Sequence, residues 1–319
     1  MNKDFSTNRK NRAVVRVPGT SANCGPGFDC LGLATTIYNY LDLTLLRNGR
    51  VVVESSGEGA ENIPRGRRNL TWQAIRRLLQ EVKREDEFKG AIIRMRNNVP
   101  ISRGLGSSST AIVAGLVAAN EILGSPFDRH GLLKLATELE GHPDNVAPAL
   151  FGGFTVSVMD KGEVQTFSFL PRIRLKLIVA VPDFELSTRM ARKVLPRNVS
   201  MKDAVFNVSR ASMLIAALIE GREDLLPLAF DDALHQPYRK KLVPGMSEVF
   251  EAAKSAGALG AAISGAGSCL IAFTPARSQL ENKIAAAMVE AFKVHDVNAK
   301  ALILNVDRHG AQITKPIRR

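Results

Sequence analysis

Short apolar runs alternate along this chain with stretches in which apolar residues recur every three or four positions, the pattern of mixed strands and helices. In the first half the runs predict strands near Val14–Val17, Leu41–Leu46, Val51–Glu54 and Ala91–Arg96. Helical spacing predicts helices near Leu70–Val82, Ser108–Leu123 and Arg129–Glu140. Strands set in antiparallel runs ahead of helices argue for an α+β layer rather than a Rossmann sheet. A strand pair, FGGFTVSVMDKGEVQTFSF, closes this half.

The Pro-flanked segment LPRIRLKLIVAVP then opens a second unit. It continues with a long helix near Lys202–Glu220, strands near Leu259–Ile263 and Cys269–Phe273, a helix near Gln279–Val294 and a strand near Ala301–Val306. Strand, helix, strand, strand, helix, strand is a ferredoxin-like order with extra helices inserted. The expected division is 1–170 and 171–319.

Composition narrows the class. A chain of 319 residues, 45% hydrophobic and 23% charged, can bury a large core. No run of 18 apolar residues exists and the start, MNKDFSTNRKNR, has no apolar stretch, so neither a membrane span nor a secretory signal is expected. Cys24, Cys30 and Cys269 are too few and too scattered for a disulfide framework or a zinc site, which suits a reducing cytoplasm. The net charge of +12 raises the question of nucleic acid. Much of the excess, however, sits in the tails: Lys3, Arg9, Lys10 and Arg12 at one end, Lys315, Arg318 and Arg319 at the other. One Trp and three Tyr offer few stacking platforms, so no nucleic-acid partner is expected.

Four dense polar or glycine-rich segments carry the candidate chemistry. Gly104–Thr110, GLGSSST, lies between a polar turn and a helix of small apolar residues. Glycines allow close backbone approach, and hydroxyls with free N–H groups at a helix start favour an anion, so a phosphate cradle is expected. The bland reading is a cap and a turn. The loop lacks the Lys of a Walker phosphate loop, so charge must be neutralised by a metal or by basic residues elsewhere. Residues 17–32, VPGTSANCGPGFDCLG, crowd Thr20, Ser21, Asn23 and Asp29 behind a strand. Residues 138–153, ELEGHPDNVAPALFGG, gather carboxylates and an imidazole at a helix end, where Glu138 and His142 share a face if the helix persists. Zinc and a Ser-His-Asp triad with Ser108 both lack supporting ligands or a nucleophile elbow, and a hard cation suits the carboxylate, hydroxyl and phosphate set better. Residues 259–273, LGAAISGAGSCLIAF, join two apolar strands by a glycine loop.

Taken together the PxxxGLGSS and SGAGS loops and the early polar loop resemble those of the GHMP kinases, and TSANCGPGFDCLG with EGHPDNVAPALFGG resembles the homoserine kinases within that superfamily, over roughly residues 13–310. The resemblance implies an N-terminal domain of the ribosomal protein S5 domain 2-like type, a C-terminal ferredoxin-like domain and an active site between them. It implies ATP and Mg²⁺, with Ser108 and Glu138 on the metal and Glu140 in reserve. Arg103, Gly104, Leu105, Gly106, Ser107, Ser108 and Ser109 would wrap the phosphates, Gly265 and Gly267 would approach from the other side, and Asn69 would lie near adenine. For L-homoserine it implies Asn23, Asp29, His142, Thr188, Arg192 and Arg239, with Asp144 and Asn145 at the reacting hydroxyl. A guanidinium fork suits the α-carboxylate and Asp29 the α-ammonium. A homodimer is also implied.

Departures are small. Gly19 and Cys24 replace more usual small or aliphatic residues, and the serine loop ends in Ser-Thr where alanines are common. The first motif carries Arg16 and no Lys, so the Asp–Lys pair of mevalonate-kinase-like relatives is missing. Either Asp144 takes the hydroxyl proton or Asn145 orients the hydroxyl while the phosphate receives it, and the second is the expectation. The competing readings are a mevalonate- or shikimate-type kinase of the same fold and a non-catalytic nucleic-acid binder.

Overall fold

The computed structural model describes residues 11–315. Lys3, Arg9, Lys10, Arg318 and Arg319, with most of the apolar-poor N-terminal segment, lie outside the described residues.

The first half runs β1 (Arg12–Ala22), β2 (Leu31–Leu46), β3 (Val51–Gly57), α1 (Leu70–Glu81), β4 (Gly90–Asn97), α2 (Ser107–Ile122), α3 (Arg129–Glu140), α4 (Pro143–Phe151), β5 (Phe154–Asp160) and β6 (Glu163–Phe169). The second runs β7 (Leu175–Pro182), α5 (Thr188–Lys193), α6 (Met201–Glu220), α7 (Leu226–Ala229), α8 (Gln236–Arg239), α9 (Met246–Ser255), β8 (Gly260–Ile263), β9 (Leu270–Pro275), α10 (Glu281–Lys293), β10 (Ala299–Asn305) and β11 (Gln312–Thr314). None of the described helices is long and apolar enough to cross a membrane.

Two sheets form among the described residues. The larger has the order β11-β1-β2-β4-β3, with β5 on the early part of β2 and β6 on β5. Helix α2 lies against β1 and β2 and against α1, α3 and α4. That central position explains its sequence: Ala, Gly, Val and Ile pack on every side, and the helix has no polar face to spare. The smaller sheet has the order β10-β7-β9-β8 with antiparallel neighbours, the ferredoxin-like arrangement expected from the sequence.

Most elements fall within a few residues of their expected places, and the exceptions have physical reasons. Strand β2 extends ten residues further back than the apolar run Leu41–Leu46, through Leu31–Tyr40, a mixture of Gly, Ala, Thr and Asn. Its first residues are buried on both faces against β1 and β5, so no two-residue alternation appears. Helix α3 stops at Glu140 because Gly141 takes the left-handed conformation, with φ 91°, and α4 starts afresh with Pro143 in its first turn. Glu138 and His142 therefore do not share a helical face.

The division at residue 170 is also crossed. Strand β11 returns from the C-terminal end to pair with β1, Val15 opposite Ile313. One apolar cluster draws Leu31, Leu33, Val99 and Leu105 from the first half and Leu177, Leu214, Phe230 and Phe273 from the second. Its members Cys24, Leu105 and Cys269 belong to three loops, which the cluster packs together.

Candidate active site

Three loops meet in a cleft. A bulge at Gly19 shifts the register of β1 against β2 and leads Thr20–Ala22 into the first loop. There Asn23, Cys24 and Asp29 all adopt positive φ, at 69°, 46° and 56°, a conformation uncommon for residues other than glycine and most easily reached by Asn and Asp. The phosphate loop supplies the second and the β8–β9 turn the third. Ser264 Oγ donates to Gly104 O at 2.7 Å and is hydrogen-bonded with Ser21 Oγ at 2.9 Å, and Gly265 N donates to Ala22 O at 3.1 Å. A Cβ on Gly104 would stand 1.9 Å from Ser264 O, so only glycine lets these two turns touch.

The cleft holds about 490 Å³, a size suited to a nucleotide and a small second ligand. Its apolar end is formed by Ile63, Pro64, Leu70, Met95 and Ile101, suited to a flat base. Most of the expected site residues line it: Asn23, Asp29, Asn69, Arg103, Gly104, Gly106, Ser107, Ser108, His142, Asp144, Asn145, Thr188, Arg192, Arg239, Gly265 and Gly267. Leu105, Ser109 and Glu138 do not.

Several of these side chains are committed elsewhere. Leu105 is fully buried and contributes through its backbone, accepting from Thr20 N at 3.0 Å. Asn69 caps α1, its Oδ1 accepting from Thr71 N and Trp72 N, while its Nδ2 donates to Pro64 O and reaches Met95 Sδ at 4.0 Å in the apolar end. Arg103 donates to the carbonyls of Pro182, Asp183 and Phe184 rather than pointing at the phosphate loop. Glu138 faces outward and accepts from Arg77 at 2.9 Å. The carboxylate beside the serines is Glu140, whose Oε1 accepts from Ser108 Oγ and Ser109 Oγ, both at 2.8 Å. Glu140 rather than Glu138 thus meets the serines, as the last residue of α3 before the left-handed Gly141. Ser107, Ser108 and Ser109 open α2, and Gly106, with φ 68°, is its N-cap.

The opposite end of the cleft is strongly charged. Arg192, near the end of α5, forms a two-pronged ion pair with Asp29, at 2.8 and 2.9 Å. Arg239, at the end of α8, is 2% exposed, and no carboxylate lies within ion-pair distance of it among the described residues. It donates to Ala191 O, Gly265 O and His235 Nδ1, all neutral acceptors. Burial first, and the nearby charge of Arg192 second, lower its pKa to about 10. Both guanidiniums stack over Phe28, at 5.5 and 5.3 Å from the ring centre. Thr188 begins α5 on the exposed rim.

Between the two ends stand His142, Asp144 and Asn145. His142 Nδ1 and Asp144 Oδ1 are 2.5 Å apart, with Asp144 buried at the start of α4. Burial opposes charge on the imidazole, but the hydrogen bond and field of Asp144, helped by Glu140 and Asp29, outweigh it and raise the pKa of His142. Asn23 is a strut: its Nδ2 donates to Gly265 O at 2.8 Å and its Oδ1 accepts from Asp29 N at 3.0 Å. Burial holds the thiols of Cys24, Cys30 and Cys269 above their ordinary range, which makes them packing residues. Sequence reasoning singled out neither His235 nor Phe28, although Phe28 stands inside the first motif beside Asp29; both act through Arg239 and Arg192.

Fold and cleft are those of the GHMP kinases. Residues 69–153 match the family model for the GHMP kinases N terminal domain, and residues 214–294 match that for the GHMP kinases C terminal. The homoserine kinase of Moorella thermoacetica is 43% identical over 301 residues, 94% of this chain and 99% of the relative. That of Desulfitobacterium hafniense is 40% identical over 299 residues, with 94% and 99% covered. The crystal structure of homoserine kinase from Cytophaga hutchinsonii superposes with a TM-score of 0.87 at 29% identity, covering 98% of this chain and all of the other. The chain belongs to the homoserine kinase family.

Proposed function

We propose that the protein transfers the γ-phosphoryl group of ATP to the side-chain hydroxyl of L-homoserine, yielding O-phospho-L-homoserine and ADP, a step of threonine biosynthesis. The observation that carries the choice of substrate is the charged end of the cleft. Asp29 and Arg192 neutralise each other there, and Arg239 is a buried cation held only by neutral acceptors. A small zwitterion is the matching ligand: its ammonium takes Asp29, and its carboxylate takes Arg239 and the released Arg192. Mevalonate and shikimate each bring a carboxylate for the arginines but no ammonium for Asp29.

Phosphoryl transfer asks chiefly for in-line positioning and neutralisation of charge on the equatorial oxygens. Gly104, Gly106 and the first N–H groups of α2 form the phosphate cradle, with Gly265 and Gly267 opposite. Ser108 and Glu140 offer two oxygen ligands in contact, which fits Mg²⁺, a cation that completes its shell with phosphate oxygens and water. Bound there, Mg²⁺ would draw charge from the β- and γ-phosphates. Among the described residues no three His, Cys, Asp or Glu side chains cluster, so an all-protein metal cage is not part of this reading.

Asn145 borders the cleft and orients the acceptor hydroxyl. Asp144 is already engaged by His142, which supports the reading in which the hydroxyl proton passes to a phosphoryl oxygen instead of to Asp144. Free thiols fit a cytoplasmic enzyme, and the resemblance adds a homodimer to the proposal. The test is ADP release from MgATP on addition of L-homoserine, mevalonate or shikimate, each separately. Release with L-homoserine alone is expected. A folded protein that releases no ADP with L-homoserine sinks the assignment.

A further inference from the structure

Asn145 owes its orientation to a residue outside the cleft. Thr20 is wholly buried, and its Oγ1 donates to Asn145 Oδ1 at 2.8 Å. Among the described residues Asn145 Nδ2 has no protein partner, and Asn145 lines the cleft. An amide with its oxygen occupied from behind presents its NH₂ group forward. The backbone of Thr20 is fixed as well, since its N–H donates to Leu105 O at 3.0 Å. Gly106 presses on the same hydroxyl: a Cβ there would stand 2.0 Å from Thr20 Oγ1 and 3.1 Å from Asn145 Oδ1. One hydroxyl thus touches both the phosphate cradle and the amide that meets the acceptor.

We infer that Thr20 is a positioning residue for phosphoryl transfer, setting which end of the Asn145 amide faces the acceptor hydroxyl and tying that amide to the phosphate loop. The inference rests on the kinase reading above. With Nδ2 donating to one lone pair of the homoserine oxygen, the other lone pair is left for the γ-phosphorus. The new O–P bond forms as the bond to the bridging oxygen breaks, the electron pair leaves with ADP, and the hydroxyl proton passes to a transferred phosphoryl oxygen. If Thr20 did not hold the oxygen of the amide, Asn145 could turn and offer Oδ1, which would bind the hydroxyl proton and keep it from the phosphate.

The experiment compares Thr20→Val, which keeps the shape and removes the hydroxyl, with Thr20→Ser, which keeps the hydroxyl. Thr20→Val is expected to lower kcat with L-homoserine about tenfold, the scale of one buried hydrogen bond. KM for ATP and for L-homoserine should each stay within about twofold, and Thr20→Ser should restore most of kcat. A kcat within twofold of the parent, or both KM values rising together without rescue by Ser, overturns the inference. A crystal structure of Thr20→Val at a resolution that tells amide nitrogen from oxygen gives a readout that needs no substrate: the Asn145 amide should turn over or leave its rotamer while Gly104–Ser109 stay in place. An unmoved Asn145 refutes the positioning role even if activity falls. Failure of the parent to use L-homoserine counts against the kinase reading alone, because the structural readout stands apart from it.

Discussion

Burying a guanidinium without a carboxylate is unfavourable, and Arg239 is held that way in the ligand-free protein. Burial depresses its pKa to about 10, so the protonated form is the one disfavoured by folding. The penalty is fully present at neutral pH and would fade only as pH rises past about 10. On the proposed reading an arriving carboxylate would relieve that strain. Arg239→Met should therefore separate two properties: the melting temperature at neutral pH should hold or rise, while KM for L-homoserine rises on the order of 100-fold and KM for ATP changes little. A fall in melting temperature together with an unchanged KM would show that the residue is structural. At this scale the sequence revealed residue types but not their employment. Asn23, Asp29, Arg192 and Arg239 could be picked out from their motifs, whereas the partner of Asn23 is Gly265, 242 positions away, and no local pattern encodes that contact. Arg103 and Asn69 were readable as members of the cleft and unreadable as a backbone clamp and a helix cap, for the same reason.

Elements decide which carboxylate meets the serines. Periodicity correctly places α3, but it treats ELEGH as one continuing surface, and a single left-handed Gly141 breaks that surface between Glu140 and His142. Glycine at the end of a helix is a stop signal, and Pro143 directly after His142 is a start signal, so the break had a local cause that spacing to His142 obscured. The consequence is measurable. Glu140→Gln should reduce kcat/KM for MgATP on the order of 100-fold, because it removes the charge beside Ser108. Glu138→Gln loses only a half-exposed pair with Arg77, which keeps Glu81 as a second partner, and should stay within about twofold of the parent, with a stability cost under about 1 kcal/mol. The reverse ranking in steady-state assays would return the metal role to Glu138. The same local blindness hid the first half of β2, where burial on both faces removes the alternation by which strands are recognised.

The molecule as a whole is less divisible than its sequence suggests. Composition shifts and the Pro-flanked run before β7 mark a boundary near residue 170, and the two sheets do fall on either side of it for most of their strands. Yet β11 completes the first sheet from the far end of the chain, and one core cluster mixes side chains from both halves. Asn23, Ser264 and Gly265 then stitch the loops across the cleft. Separating the halves would expose Leu31, Leu33, Leu105, Phe230 and Phe273 to water at about 25 cal/mol per Å² of apolar surface, and would break those buried hydrogen bonds as well. Thermal unfolding should therefore be a single transition in which the calorimetric and van't Hoff enthalpies agree. A fragment ending at residue 170 should fail to give a cooperative transition of its own. Two resolved transitions, or an independently folded fragment, would show that the shared core contributes less than the area it buries implies.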